Sequence, residues 1–480
     1  MNILAAYEPK EVLRFFEEIC QIPHGSENVD RISDYLVDFA NERHLRYRQD
    51  AAKNVIIWKD GSVGYENSAP VILQGHMDMV AVKVDGCEKD LETEGLDLEV
   101  LEGDLISAKG TSLGGDDGIA VAYGLALLDS NDIPHPPLEL VITVNEEIGM
   151  LGAAALDVSD LKGRIFLNAD SEAEGVFTVS CAGGVRTLCE IPCEREPVSG
   201  KRIDIRLFGL QGGHSGAEID KGRLNANIAM GRLLHALADT DAGLLCVDGG
   251  EKDNAIAKMA GASLVTGEPT RVKKILSETF SYIKAEYTGV EPDMELAMDE
   301  KGEETALCMT KESAKRVVSV LMCIPNGIRR MHPDMKDMVQ TSLNLGVVKT
   351  ETEAVYLTSA LRSSMESEKQ FLLEQVRAVV TLAGGSVSTS GDYPGWAYRA
   401  DSKIRDIMVE VYKEQYGKEP VVEGIHAGLE CGLFSSKLED LDCISFGPQM
   451  RDIHTTDEVL SIASTERTWK LLLETLKRLR

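Results

Sequence analysis

The chain has 480 residues, 43% of them hydrophobic, enough apolar side chain for a large core and a length that favours two or three domains over one. Its 79 Asp and Glu outnumber 50 Lys and Arg for a formal charge of -29, so the basic footprint that phosphate binding requires is missing and nucleic acid is not expected as a partner. No stretch reaches membrane-spanning length, no basic segment with a long apolar run opens the chain, and the ten scattered cysteines lack C-x-x-C spacing, so a soluble, cytoplasmic protein with reduced thiols and no membrane partner is expected.

From the amino end, apolar residues recur at helical spacing over 8–21 and 26–42, the second helix with Ser26 as its N-cap. Strands follow at 54–58, 71–74, 138–144 and 165–168, with a helix at 117–128 among them. Alternating strands and helices predict an α/β domain layered around one sheet. Between about 192 and 391 the texture changes. Alternating strands such as 202–207 and 353–361 accompany helices at 225–238, 270–287, 311–322 and 368–382, which predicts a separate α+β unit. Gly391-Asp392-Tyr393-Pro394-Gly395-Trp396 is a turn-rich link at its far edge. The first texture then resumes with a helix at 402–416, a strand at 443–446 and a closing helix at 465–480. The expected architecture is one α/β domain, 1–187 and 392–480, interrupted by an inserted domain, 188–391.

The residues that could carry chemistry gather at strand and loop ends of the first domain, where open α/β sheets place their sites. Gln74-Gly75-His76-Met77-Asp78 follows a strand. A metal-binding imidazole commonly needs a carboxylate partner for its second nitrogen, and Asp78 is near enough in sequence to supply one. Lys109-Gly110-Thr111-Ser112-Leu113-Gly114-Gly115-Asp116-Asp117-Gly118 lacks the G-K-[ST] ending of a phosphate loop and puts two acids where phosphate would need donors. Those acids suit a cation better, although Asp117 can also serve as a helix N-cap.

Glu146 and Glu147 close the apolar run 138–145. Neighbouring carboxylates repel unless a cation or a proton intervenes, so one metal ligand and one base is a natural division of labour; a strand ending in solvated acids is the plain alternative. Asp170 ends the run 164–169 in the same way, and His454 sits in a polar loop after a strand. Together His76, Asp116, Glu147, Asp170 and His454 are five nitrogen and oxygen ligands that suit two metals sharing a bridging carboxylate. With imidazole for each metal and no cysteine in the set, zinc is favoured, with cobalt or manganese as possible replacements. Glu146, left over, would take a proton from the activated water and pass it to the leaving amine.

Six motifs in order and spacing carry a resemblance over essentially the full length: Gly75-His76-Met77-Asp78, Leu113-Gly114-Gly115-Asp116-Asp117-Gly118, Asn145-Glu146-Glu147-Ile148-Gly149, Asn168-Ala169-Asp170-Ser171-Glu172, Gly212-Gly213-His214-Ser215-Gly216 and His426-Ala427-Gly428-Leu429-Glu430-Cys431-Gly432. The chain resembles the dinuclear-zinc dipeptidases related to glutamate carboxypeptidase and carnosinase. The resemblance implies a zinc-exopeptidase-like catalytic domain, a central mostly parallel sheet flanked by helices, with the α+β insertion acting as lid and dimerisation domain of a homodimer. It implies two zinc ions per subunit bridged by Asp116, with His76 and Asp170 completing one and Glu147 and His454 the other. Asp78 would orient His76, Glu146 would be the general base, and the Asp116-Asp117 bond would be cis.

From the inserted domain, the resemblance implies that His214 stabilises the tetrahedral oxyanion, that Asn254 and Arg362 hold the substrate carboxylate, and that Gly428 contacts substrate through its backbone. A planar guanidinium suits a carboxylate because it can bind bidentately. Without the resemblance, a loop cap for His214 and surface roles for Asn254 and Arg362 are the alternatives. The expected activity is hydrolysis of small peptide substrates, unblocked dipeptides with Xaa-His among them. An aminoacylase or other amidohydrolase on the same scaffold is the neighbouring alternative, and a non-catalytic binding or scaffold protein the distant one. His24, His44, His135, His235 and His332 are read as structural.

Overall fold

Short runs rich in Val, Ile and Leu form the strands Val55–Lys59, Val71–His76, Leu138–Thr143 and Ile165–Asn168, because branched side chains pack well on a pleated surface and a strand covered on both faces needs no polar alternation. In the computed structural model, which describes residues 3–480, Val71–His76 lies between Leu138–Thr143 and Ile165–Asn168, all parallel, and Asp442–Ser445 continues the parallel run. Antiparallel pairs finish the edges: Arg46–Gln49 with Val55–Lys59 on one side, and Val176–Cys181 beside Asp442–Ser445 on the other. With Val421–Ile425 the sheet has eight strands. The mostly parallel sheet expected from sequence is therefore parallel at its centre and mixed at its margins.

The helices around this sheet follow from their apolar faces. Lys10–Cys20 buries Val12, Phe16 and Ile19 at helical spacing. Gly115–Asp129 is buried almost throughout, as an all-apolar helix must be, and Gly124 lets it approach Leu140, whose side chain occupies the place of a Cβ. One expected boundary moves by more than a helical turn. The helix foreseen at 26–42 begins only at Asp30, because Glu27 turns the chain with φ 68, a conformation no helix accommodates. Ser26 is thereby free to donate its hydroxyl to Asp78 Oδ2 at 2.8 Å.

The chain forms two compact units. The first runs to Ser180 and resumes over Tyr398–Gly424 and Leu429–Arg480; the second is Cys181–Ala397 with Ile425–Gly428. That short return is not foreseen in the sequence. It is held by the Ala182 N–H, which donates to the carbonyls of Ile425 and Ala427. The second unit is built on a nine-stranded sheet whose long strands include Arg195–Phe208, Val339–Thr350 and Ala354–Ser363. Burial alternates along Gly183–Pro192, so one face meets the core and the other solvent. The helices Ala226–His235, Pro269–Glu286, Lys311–Cys323 and Glu366–Leu382 contribute Met230, Leu276, Val317 and Val376 to that core. All ten cysteines are unbridged, and no helix among the described residues is long and apolar enough to cross a membrane.

Candidate active site

Three neighbouring parallel strands deliver the first group of residues. Val71–His76 ends on His76, Leu138–Thr143 is followed by Glu146 and Glu147, and Ile165–Asn168 by Asp170. His76 Nε2 lies 3.2 Å from Asp116 Oδ1 and 3.6 Å from Asp170 Oδ1. His454 Nε2 lies 3.1 Å from Asp116 Oδ2 and 2.9 Å from Glu147 Oε1. Each oxygen of the Asp116 carboxylate thus faces a different imidazole. Within each trio, His76-Asp116-Asp170 and Asp116-Glu147-His454, the potential ligand atoms all lie within 4.8 Å of one another, and each trio could hold a metal ion. The Asp116-Asp117 peptide is cis, and His454 has φ 62, a left-handed conformation uncommon for a side chain with a Cβ and frequent where geometry serves a site.

The electrostatics describe a place that collects positive charge. The Asp116 and Glu147 carboxylates push the His454 imidazole up to about 10. Burial works to lower His76, but its contacts with Asp116, Asp170 and Asp78 outweigh burial and hold it well above the ordinary value. Burial likewise works to raise Asp116, yet His454 and His76 keep that carboxyl well below the usual range. Burial raises Asp170, and raises Glu146 further with Asp170, Glu430 and Glu147 around it. Protons on two imidazoles are what an acid-rich pocket draws when no other cation is present, and divalent ions with neutral imidazole ligands answer the same demand. The donor set fits them: only nitrogen and oxygen, with the buried Glu147 Oε1 lying against His454 Nε2 off the line of a hydrogen bond.

Asp78 stands against His76 chiefly through its main chain. The ring nitrogen His76 Nδ1 meets the main-chain carbonyl of Asp78 at 2.9 Å, with the carboxylate farther off at 3.7 Å. With the Nδ1 proton held there, Nε2 is the nitrogen that a neutral ring could offer to a metal beside Asp116 and Asp170. The Asp78 carboxylate instead accepts the N–H groups of Glu146 at 3.0 Å and Glu147 at 3.4 Å, besides the Ser26 hydroxyl.

In the second unit, the two-residue strand Gly213–His214 pairs with Ala255–Ile256, and the Ser215 N–H donates to the Asn254 carbonyl at 2.9 Å. Asn254 therefore neighbours His214. The N–H groups of Gly216 and Ala217 donate to His214 Nδ1 at 3.2 and 3.0 Å, which places the ring proton on Nε2. Burial and then the Arg362 guanidinium lower this imidazole, so it is neutral and presents a free N–H. Gly216 has no room for a side chain: a Cβ would meet the His426 carbonyl, His214 Cε1 at 3.0 Å and Arg362 Nε at 3.2 Å. Three polar residues converge there. Arg362 is half-buried, makes no ion pair among the described residues, and leaves Nε without a partner. A desolvated cation lacking a counter-charge suits an incoming carboxylate. Gly428 closes the returning segment Ile425–Gly428.

Residues 72–478 match the peptidase family M20/M25/M40. The chain belongs to this family. It is an enzyme, a peptide-bond hydrolase. This M20/M25/M40 peptidase is 35% identical to the cytosol non-specific dipeptidase of Escherichia coli (strain K12) over 484 residues, spanning 100% of this chain and 99% of the relative. Its structure matches the aminoacylhistidine dipeptidase of Vibrio alginolyticus with a TM-score of 0.95 and 34% identity, covering 99% of this chain and 98% of that one. The six sequence motifs likewise resemble those of the bacterial aminoacyl-histidine dipeptidase, also called peptidase D. Aminopeptidase PepT of Bacillus cereus, at 15% identity and a TM-score of 0.57 over 98% of this chain and 99% of that one, shares the fold.

Three residues of this M20/M25/M40 peptidase escape sequence reasoning. Glu458, 3% exposed, accepts the N–H groups of Leu113, Gly114 and Gly115 at 2.8, 3.1 and 2.8 Å. It fastens the loop that carries Asp116 to the segment that carries His454. Glu430, wholly buried, accepts the Thr143 hydroxyl at 2.7 Å and the Gln74 amide, while Gln74 Oε1 accepts from Asn168 at 2.7 Å. That chain crosses three strands just before their functional ends. His426 Nε2 meets Ser342 Oγ at 2.7 Å, and burial, then Arg362, pushes its imidazole down to about 3. The only sequence signal for Glu430 and His426 is their place in a shared motif, and for Glu458 its nearness to His454.

Proposed function

We propose that this chain is a cytoplasmic, metal-dependent dipeptidase that hydrolyses unblocked dipeptides, Xaa-His among them, with Glu146 as general base. The observation that carries the reading is Asp116, whose two oxygens face His76 and His454 separately. Asp116 would bridge two ions, His76 and Asp170 completing one site and Glu147 and His454 the other. Zinc suits this nitrogen and oxygen set, with cobalt or manganese as replacements. When bound, two such ions supply Lewis-acid polarisation of the scissile carbonyl and a water of lowered pKa.

Glu146 would take a proton from the attacking water on its carboxylate and deliver it to the leaving amine. Burial among Asp170, Glu430 and Glu147 raises its proton affinity, and bound dications beside it would lower that affinity again, so that the carboxylate is available as a base. Asp78 fixes the Glu146 and Glu147 main chain through their N–H groups. His214, neutral with its proton on Nε2, donates to the developing oxyanion. Arg362 and Asn254 take the substrate carboxylate, and the Gly428 main chain contacts the substrate. The second unit serves as lid and dimerisation domain of a homodimer.

A dipeptide panel assayed beside N-acylated amino acids tests this, using apo protein reconstituted separately with zinc, cobalt and manganese. The reading requires turnover of unblocked dipeptides, Ala-His included, and little of the acylated series. Preference for the acylated amino acids would replace it with an aminoacylase.

A further inference from the structure

Arg362, Gly184 and Tyr393 form one cross-strand row. Arg362 is opposite Gly184 where Ala354–Ser363 pairs with Gly183–Pro192, and Gly184 is opposite Tyr393 where Gly183–Pro192 pairs with Ser386–Tyr393. Neighbouring strands lie about 4.8 Å apart, so side chains separated by a whole strand meet over the middle position only when that position is open. Here it is open. A Cβ on Gly184 would stand 2.7 Å from the Tyr393 hydroxyl oxygen and 2.8 Å from its ring. The ring lies across the glycine, and the hydroxyl accepts from Arg362 Nη1 at 3.3 Å. Among the described residues this is the hydrogen bond that the guanidinium makes.

Two further features hold the tyrosine in that pose. The register of its strand shifts between Ser390 and Tyr393, an irregularity of the kind that re-aims a side chain. Lys369 on the helix Glu366–Leu382 is only 1% exposed, and its Nζ donates to the Tyr393 carbonyl at 2.8 Å and to Asp392 Oδ1 at 2.6 Å. A lysine is retained at such depth when its charge is paired, and here the pairing pins Asp392 within the irregularity and Tyr393 at its end. The turn-rich link at 391–396 is thus a built support rather than a connector.

We propose that Tyr393 is the positioning residue that aims Arg362 at the free carboxylate of the substrate, with Gly184 as the gap that admits its ring and Lys369 as its anchor. The inference rests on the assignment of Arg362 to that carboxylate. It makes the preference for a free carboxyl terminus depend on a hydroxyl that need not touch the substrate.

The test compares wild type, Tyr393→Phe and Arg362→Ala, metal-loaded and matched in thermal melting, on Ala-His and on its C-terminal amide. Phe keeps the ring and removes only the hydroxyl. Tyr393→Phe is expected to raise KM for the free acid about 5- to 20-fold, with kcat within about twofold and the amide unaffected. Arg362→Ala should abolish the discrimination between acid and amide. If Arg362→Ala leaves discrimination intact, the carboxylate assignment itself fails. Should Arg362→Ala abolish discrimination while Tyr393→Phe matches wild type, or lowers acid and amide alike, the Tyr393 proposal alone is overturned.

Discussion

The Asp78 carboxylate accepts the main-chain N–H of Glu146 at 3.0 Å, and so ties the residue after one strand end to the residue proposed as base after its neighbour. The same carboxylate reaches the Glu147 N–H and the Ser26 hydroxyl. Replacing it removes the acceptor that sets the turn at 146–147 without removing a ligand. Asp78→Ala is expected to lower kcat/KM about 10- to 100-fold, the usual range for a group that orients ligands, while Asp78→Asn, which keeps one acceptor oxygen, loses less. Steady-state kinetics on Ala-His at saturating zinc reads the difference.

Glu458 offers a stability prediction. Its carboxylate satisfies three N–H groups at the entry to the helix Gly115–Asp129. Glu458→Ala leaves those donors buried and unmatched, which costs roughly 3 kcal/mol or more, and it loosens the loop carrying Asp116. We expect a lower melting temperature together with weaker metal retention, whereas Glu458→Gln, which still offers an oxygen, falls between. Melting curves and metal content after dialysis check both.

Metal uptake should release protons. Without metal, the His454 imidazole is pushed up to about 10 and His76 is held well above its ordinary value, so both carry protons at neutral pH that incoming ions must displace. Calorimetric titration with zinc at pH 7, in two buffers of different ionisation enthalpy, is expected to show net proton release, and affinity that falls as pH falls. Binding without proton release would contradict the ligand assignment.

These relations explain what could be read from the sequence and what could not. The residues gathered at the strand ends were legible because apolar runs ending in acid or histidine announce themselves locally: His76, Glu147 and Asp170 each follow such a run within a few positions. Glu458 and Glu430 were not, since the groups they serve lie hundreds of residues away and only the folded sheet brings them together. Ser26 misled because the N-cap preference is local, whereas the left-handed turn at Glu27 redirected its hydroxyl to Asp78. Tyr393 sat in a segment rich in turn residues, and its cross-strand neighbours Gly184 and Arg362 are invisible without register.

Acid should weaken the fold through His426. Its folded value is about 3, against roughly 6.5 for an unfolded histidine. Below about 6.5 the unfolded chain takes up a proton that the folded chain refuses. The contribution is therefore intact above that pH and drains as pH falls toward 3, on the order of 5 kcal/mol over the full window. Urea unfolding at pH 7, 6 and 5 is expected to show a shallower pH dependence for His426→Gln than for wild type.

The central claim is that Glu146 moves the proton while its neighbour Glu147 binds metal. Glu146→Gln keeps the shape and removes the base, so the decisive measurement pairs metal content with turnover of Ala-His in that one variant. The account predicts two metal ions per chain, as in wild type, and kcat reduced by about 10²- to 10⁴-fold or more. Turnover near the wild-type rate with both metals in place would contradict it.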